Sequence, residues 1–217
     1  MITVENAHKY YRINRLKKVV LRNVSFKFQA GRSYGILGIN GAGKSTFMRL
    51  LSGTELPNGG RIRRTVRVSW PLGFAGGLHP NMTGRDNVSF VARAYGENVR
   101  ETVEFVEDFA EVGPYMDAPV KTYSSGMVQR VAFGLSMAIN FDCYLIDEVM
   151  AVGDARFQAR CKTEFEKRKK FSDIIMVSHG MDAIQTYCQE GIVLAGGELH
   201  HFPKVADAIE AYRLLNM

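Results

Sequence analysis

The chain is poor in features that would staple it covalently or through a metal. Its 217 residues hold three cysteines, Cys143, Cys161 and Cys188. Their number is odd and their spacings wide, with no C-x-x-C and no zinc-ligand pattern. This excludes a disulfide framework and points to free thiols in a reducing compartment. No run of roughly 18 apolar residues occurs, so the chain is not expected to span a bilayer by itself. The first residues, MITVENAHKYY, lack the apolar core of a signal peptide. There is no internal repeat and no low-complexity segment. The net charge of +6 suits a polyanionic ligand or an anionic membrane surface, and equally an ordinary soluble protein. Basic residues cluster around Arg12 to Arg22, Arg61 to Arg67 and Lys167 to Lys170. None of these clusters is interleaved with aromatics in a nucleic-acid-binding pattern. Solvated faces are expected, and no nucleic-acid partner.

The elements that are present alternate. Val4, Val19 to Phe28 and Ser33 to Leu37 read as strands, and the last runs into a glycine-rich loop. Lys44 to Ser52 reads as a helix, Leu56 to Gly60 as a turn, and Arg61 to Trp70 as one strand. Pro71 to Asn81 is a loop, and residues 84 to 112 are helical with a break at Tyr95-Gly96. Further helices are expected over Gly126 to Ile139, Arg156 to Phe171, Met181 to Cys188 and Val205 to Leu215. Short apolar strands are expected at Cys143 to Ile146 and Ile174 to Val177, with a hairpin around Gly196-Gly197. Such alternation predicts an α/β fold with a central, mostly parallel sheet.

Four stretches carry chemistry. GINGAGKST, Gly38 to Thr46, fits G-x-x-x-x-G-K-[ST]. Glycines at these spacings let backbone N–H groups turn toward anionic oxygens, Lys44 would reach the β- and γ-phosphates, and Ser45 would ligate Mg²⁺. The following helix would add its N-terminal dipole. CYLIDE, residues 143 to 148, is an apolar strand ending in two carboxylates. Beside a phosphate loop, Asp147 can hold Mg²⁺ through its water shell, and Glu148 can activate a water for attack on the γ-phosphate. Alone, the pair would also pass for an acidic strand end. His179 follows the strand that ends at Val177 and could help place that water. A lone histidine there is more often structural. YSSGM, Tyr123 to Met127, opens an apolar helix and offers a second anion site, or simply a serine N-cap.

In this order and spacing the motifs resemble those of ABC-transporter ATPase subunits, over nearly the whole chain. The phosphate loop matches Walker A, and Leu145-Ile146-Asp147-Glu148 closes a Walker B. YSSGM stands at the LSGGQ signature, Ala151-Val152-Gly153-Asp154 at the D-loop, and His179 at the switch histidine. The resemblance implies a P-loop ABC ATPase fold with an antiparallel β subdomain and a helical subdomain inserted at about residues 84 to 139. It further implies that Gly38, Asn40, Gly41, Ala42, Gly43, Lys44, Ser45 and Thr46 hold ATP. Tyr11, with Tyr10 as the alternative, would stack on adenine. Ser45 and Asp147 would serve Mg²⁺, and Glu148, His179 and Lys44 would serve hydrolysis. Ser124, Ser125 and Gly126 would reach the nucleotide of a second copy in an ATP-closed homodimer, with Asp154 in the D-loop.

A narrower resemblance lies in SWPLGFAGGLHPNMTGRDNVSFVARAYG (69 to 96), KTYSSGM (121 to 127) and FGLSMAINFDCYLIDEVMAVGD (133 to 154). These are similar to ATPases of capsular polysaccharide exporters of Gram-negative bacteria. The implied setting is the cytoplasmic face of the inner membrane, bound peripherally to a polytopic permease that moves a lipid-linked polysaccharide. O-antigen and teichoic acid exporters often add a carboxyl-terminal domain, which this chain is expected to lack. A small-solute importer shares the core chemistry and is the weaker alternative. A soluble ABC ATPase of DNA repair or translation is weaker still, since this chain has no second cassette and no long coiled coil. A GTPase would need N-K-x-D, which is absent. Two departures stand out. From Gly59 to Pro80 there is no Asp, Glu, Asn or Gln, so the family's usual glutamine near Mg²⁺ is missing, and backbone or water is expected to replace it. His79 is the one other candidate. In the signature, Ser125 replaces a glycine and Met127 a glutamine.

Overall fold

The computed structural model describes residues 1–14, 16–72, 75–147, 153–178 and 180–215. The expected Glu148, His179 and Ala151-Val152 lie outside the described residues. The chain divides into two compact units, residues 1–71, 141–148 and 172–217 in one, and 72–140 and 149–171 in the other.

The first unit opens with β1 (Ile2–Ile13), which pairs antiparallel with β2 (Leu16–Phe28). The sequence shows a strand only near Val4, because Glu5, Asn6 and His8 interrupt the alternation. Bulges between Val4 and Ala7 and between Ala7 and Lys9 absorb that interruption, with Asn6 at φ 48°. They return Ile2, Val4, Ala7 and Lys9 to the buried face. Tyr11 therefore stands within β1, near its carboxyl end.

β3 (Tyr34–Leu37) is buried along its whole length and leads through the phosphate loop into α1 (Lys44–Ser52). Residues 61 to 70 are two strands, not one. β4 (Gly59–Arg64) adds to the free edge of β1, whereas β5 (Val68–Pro71) joins a second sheet beside β6 (Cys143–Asp147). The break falls where Thr65 N–H bonds to Met1 C=O and Arg67 N–H bonds to the Asp142 carboxylate. The two halves thus satisfy their backbones in different sheets. The second sheet is completed by β7 (Asp173–Val177), β8 (Glu190–Ala195) and β9 (Glu198–Phe202), in the order β5-β6-β7-β3-β8-β9. Every pairing is parallel except the β8–β9 hairpin. β3 thus sits inside a parallel sheet, and its carboxyl end is where such sheets bind ligands.

Helix α1 buries Phe47, Met48, Leu50 and Leu51 in a core shared with Ile36, Leu145, Ile175 and Ile192. Truncating Phe47 to alanine in so closed a core costs about 3–5 kcal/mol. The far end of α1 is capped from β4, where Arg64 Nε donates to Leu51 C=O at 2.6 Å and its Nη2 to Leu50 C=O. Two further helices, α6 (Met181–Tyr187) and α7 (Val205–Leu214), belong to this unit.

The second unit is helical. α2 (Gly84–Tyr95) starts at Thr83, whose hydroxyl accepts from Asp86 N–H and donates to the Asp86 carboxylate. It ends at Gly96, φ 70°. Asn98 caps α3 (Val99–Ala110). α4 (Ser125–Ala138) and α5 (Ala155–Lys169) pack around stacked Phe109 and Phe133, with Phe157 edge-on. The α/β class read from the sequence is the one observed: a mostly parallel sheet, an antiparallel β sheet and a helical unit.

Candidate functional site

The phosphate loop is shaped by steric necessity. Gly43 adopts φ 106°, and a Cβ there would lie 2.2 Å from Val20 Cγ1. Gly41 adopts φ 79°, and a Cβ on Gly38 would lie 2.6 Å from Leu194 C=O. Glycine is the residue that tolerates such backbones and contacts. The loop closes on itself through Ala42 N–H to Ile39 C=O at 3.1 Å. α1 then starts at Lys44 with no acid in its first turn, so its leading N–H groups and positive dipole end meet no carboxylate of their own helix.

Lys44 is folded back over the loop. Its Nζ donates to Gly38 C=O at 2.6 Å and Ile39 C=O at 3.3 Å. Burial lowers its pKa, and the nearby Asp147 carboxylate acts the other way. Above the loop is a cavity of about 360 Å³, lined by Asn40, Gly41, Gly43, Lys44, Ser45 and Thr46. Asp147, at the end of β6, lines it beside Val177 at the end of β7, the two being paired in register. Tyr11 forms part of its wall. Tyr10, one position away, faces the other side of the sheet, where Lys17 Nζ lies 4.1 Å from its ring centroid. Gly38 and Ala42 build the loop without lining the cavity.

Sequence reasoning missed Lys18 and Val20, which also line the cavity. In sequence Lys18 falls in the basic cluster of Arg12 to Arg22, for which a solvated face is expected. The signal that finds it is register, since Lys18 pairs across β2 with Tyr11 of β1 and shares its face.

The remaining expected residues lie in the second unit. Ser124 is the N-cap of α4, its Oγ accepting from Met127 N–H at 3.2 Å, which leaves the hydroxyl hydrogen as a donor. Ser125 is exposed, and among the described residues a Cβ on Gly126 would meet Ser124 Oγ alone, at 3.9 Å. Asp154 caps α5, accepting from Phe157 N–H at 2.9 Å and from Arg130 Nη2 at 3.0 Å. The Phe157 amide, then Arg130, hold its carboxyl below the ordinary range. His79 is exposed, with Asn81 N–H donating to its Nδ1 at 3.3 Å.

A family profile described as ABC transporter matches residues 21–151. The chain belongs to the ABC transporter family. This cassette is 47% identical over 212 residues to the ATP-binding protein BexA of Haemophilus influenzae, covering 98% of each chain. It is 47% identical over 215 residues to the capsule polysaccharide export ATP-binding protein CtrD of Neisseria meningitidis serogroup B, covering 99% of this chain and 100% of CtrD. In three dimensions it resembles the ATP-binding cassette MJ0796, solved as a dimer bound to ADP and Pi. The TM-score is 0.75 at 20% identity, over 94% of this chain and 99% of that one. As an ABC cassette, the chain binds nucleotide. Among the described residues no helix is long and apolar enough to cross a membrane.

Proposed function

We propose that this chain is the ATP-hydrolysing, energy-coupling subunit of an exporter that moves lipid-linked capsular polysaccharide across the bacterial inner membrane. It would act as a single nucleotide-binding cassette with a helical insertion at about residues 84 to 139. It would sit on the cytoplasmic face, docked on a polytopic permease. The observation that carries the reading is the convergence of the phosphate loop, Lys44 and Asp147 on one cavity. The capsule-export name of CtrD, matched along its whole length, supports the cargo.

In this reading the loop amides of residues 38 to 46 and the start of α1 hold the phosphates. Lys44 exchanges its carbonyl partners for β- and γ-phosphate oxygens. Tyr11 and Val20 form the apolar wall for the base, and Lys18 reaches the phosphates from the opposite strand. The Ser45 hydroxyl and the Asp147 carboxylate both line the cavity and are hard oxygen donors of the kind Mg²⁺ takes. When bound, that ion supplies charge neutralisation at the phosphate oxygens. Glu148, directly after Asp147, is the general base, and His179 helps hold the attacking water. Ser124, Ser125 and Gly126 of one copy complete the site of another, with Asp154 beside them in the D-loop. Backbone or water stands in for the missing glutamine of residues 71 to 80.

The test is to trap Glu148→Gln with ATP in native membranes, purify it gently and identify its companions by mass spectrometry. A small polytopic permease carrying glycolipid is the expected result. A solute-importer permease, or soluble partners alone, would overturn the export assignment and leave the ATPase chemistry standing.

A further inference from the structure

Glu55 belongs to none of the motifs above. It lies in the turn after α1, with its side chain 19% exposed. Its Oε1 accepts from the Tyr11 hydroxyl at 2.6 Å and pairs with Lys9 Nζ at 2.6 Å, and its Oε2 accepts from Arg49 Nε at 3.0 Å. Arg49 Nη2 reaches on to Tyr11 Oη at 3.3 Å and Thr46 Oγ1 at 3.2 Å. Lys9 Nζ donates also to Leu56 C=O at 2.8 Å. One carboxylate thus gathers donors from β1 and α1. Burial works to raise its pKa, but the bonds from Lys9, Tyr11 and Arg49 outweigh it and hold it at about 2, so the hub is charged at any working pH.

The hydroxyl of Tyr11 is therefore occupied by Glu55, Arg49 and Thr46, and what the residue offers the cavity is its ring. The ring and Val20 make an apolar wall next to a loop built for phosphates. A nucleotide whose phosphates sit on that loop has one aromatic part left to place, and an aromatic face of fixed orientation suits it.

We propose that Glu55 is a positioning residue for the nucleotide base, fixing the plane of the Tyr11 ring by holding its hydroxyl. This rests on the reading of the cavity as the ATP site. Among the described residues Glu55 reaches the cavity directly through the Tyr11 hydroxyl and, one step further, through Arg49 to Thr46 of the phosphate loop, so base and phosphate binding are measured separately. A merely structural hub would instead loosen β1 from α1 and weaken every ligand alike.

The experiment compares ATP with inorganic tripolyphosphate, which has the phosphates and no base. Calorimetric Kd values are measured for the full chain as wild type, Glu55→Gln, Tyr11→Phe and the double variant. Each single change is expected to weaken ATP by roughly tenfold, about 1.4 kcal/mol, and to leave tripolyphosphate within about twofold. The double variant is expected to be little worse than Tyr11→Phe, because Glu55→Gln weakens the same hydroxyl bond that Tyr11→Phe removes. Equal weakening of both ligands, or unchanged ATP affinity, would overturn the proposal. If Glu55→Gln does not fold, Tyr11→Phe alone decides, since it removes one oxygen and keeps the ring. Wild-type protein that binds tripolyphosphate as tightly as ATP would instead remove the base-binding wall itself.

Discussion

Lys18 stands directly across from Tyr11 in the β1–β2 register, and both side chains line the phosphate-loop cavity. A Cβ on Gly41 would lie 3.9 Å from Lys18 Nζ, so the ammonium hangs over the loop. No carboxylate among the described residues pairs with it. Lys18→Met is expected to raise the Kd for ATP by about fivefold at low salt. The difference should shrink as salt screens the exposed charge. Calorimetry at two ionic strengths checks this, and a salt-independent difference would mean lost packing and not lost charge.

Gly43→Ala is expected to destabilise the protein by about 2–4 kcal/mol. Two separate penalties add, a left-handed backbone and a collision with Val20 Cγ1. Val20→Ala relieves only the second. The double variant should therefore recover part of the loss in urea unfolding, and full recovery would show that the backbone angle costs nothing.

Stability should carry a signature of Glu55 at acid pH. Its folded pKa, about 2, lies below the ordinary value of 4.5. Its contribution is thus fully present above about pH 4.5 and is lost as pH falls through about 2. The melting-temperature gap between wild type and Glu55→Gln should be constant from neutrality to about pH 5 and narrow below it. A gap that stays flat to pH 3 would sever the linkage.

The thiols should be silent until the protein opens. Burial pushes both Cys143 and Cys161 up to about 12, and Cys188 is also buried. Labelling by a thiol reagent at pH 7 should follow unfolding and not surface exposure. Saturating ATP should slow it, because a ligand bound only to the folded state suppresses opening. Fast labelling in the absence of denaturant would contradict the buried placement.

The phosphate loop was legible because its chemistry dictates residue types at fixed spacing, and the structure places Lys44, Ser45 and Asp147 on one cavity as those types suggest. α1 was legible to the residue, since Gly43 and Gly53 bracket it with left-handed caps. β1 was not, because its bulges hide a long strand behind broken alternation. The division of residues 61 to 70 was invisible for a related reason, since both halves are extended and only pairing partners tell them apart. Lys18 and Glu55 depend on register and on a turn that returns to β1, neither of which leaves a local pattern. Glu148 and His179 were named from motif and lie outside the described residues.

The two ends of α1 are treated unequally. The guanidinium of Arg64 neutralises the carbonyl pole from within the protein, whereas the amide pole faces the cavity with no acidic neighbour on its own helix. The field of this short helix is therefore earthed at one end and open at the other. The Asp147 carboxylate across the same cavity offsets part of that positive end, and a multivalent anion of suitable size would offset the rest. Inorganic phosphate and pyrophosphate are therefore expected to compete with ATP for the loop, which would leave discrimination between them to the wall of Tyr11 and Val20.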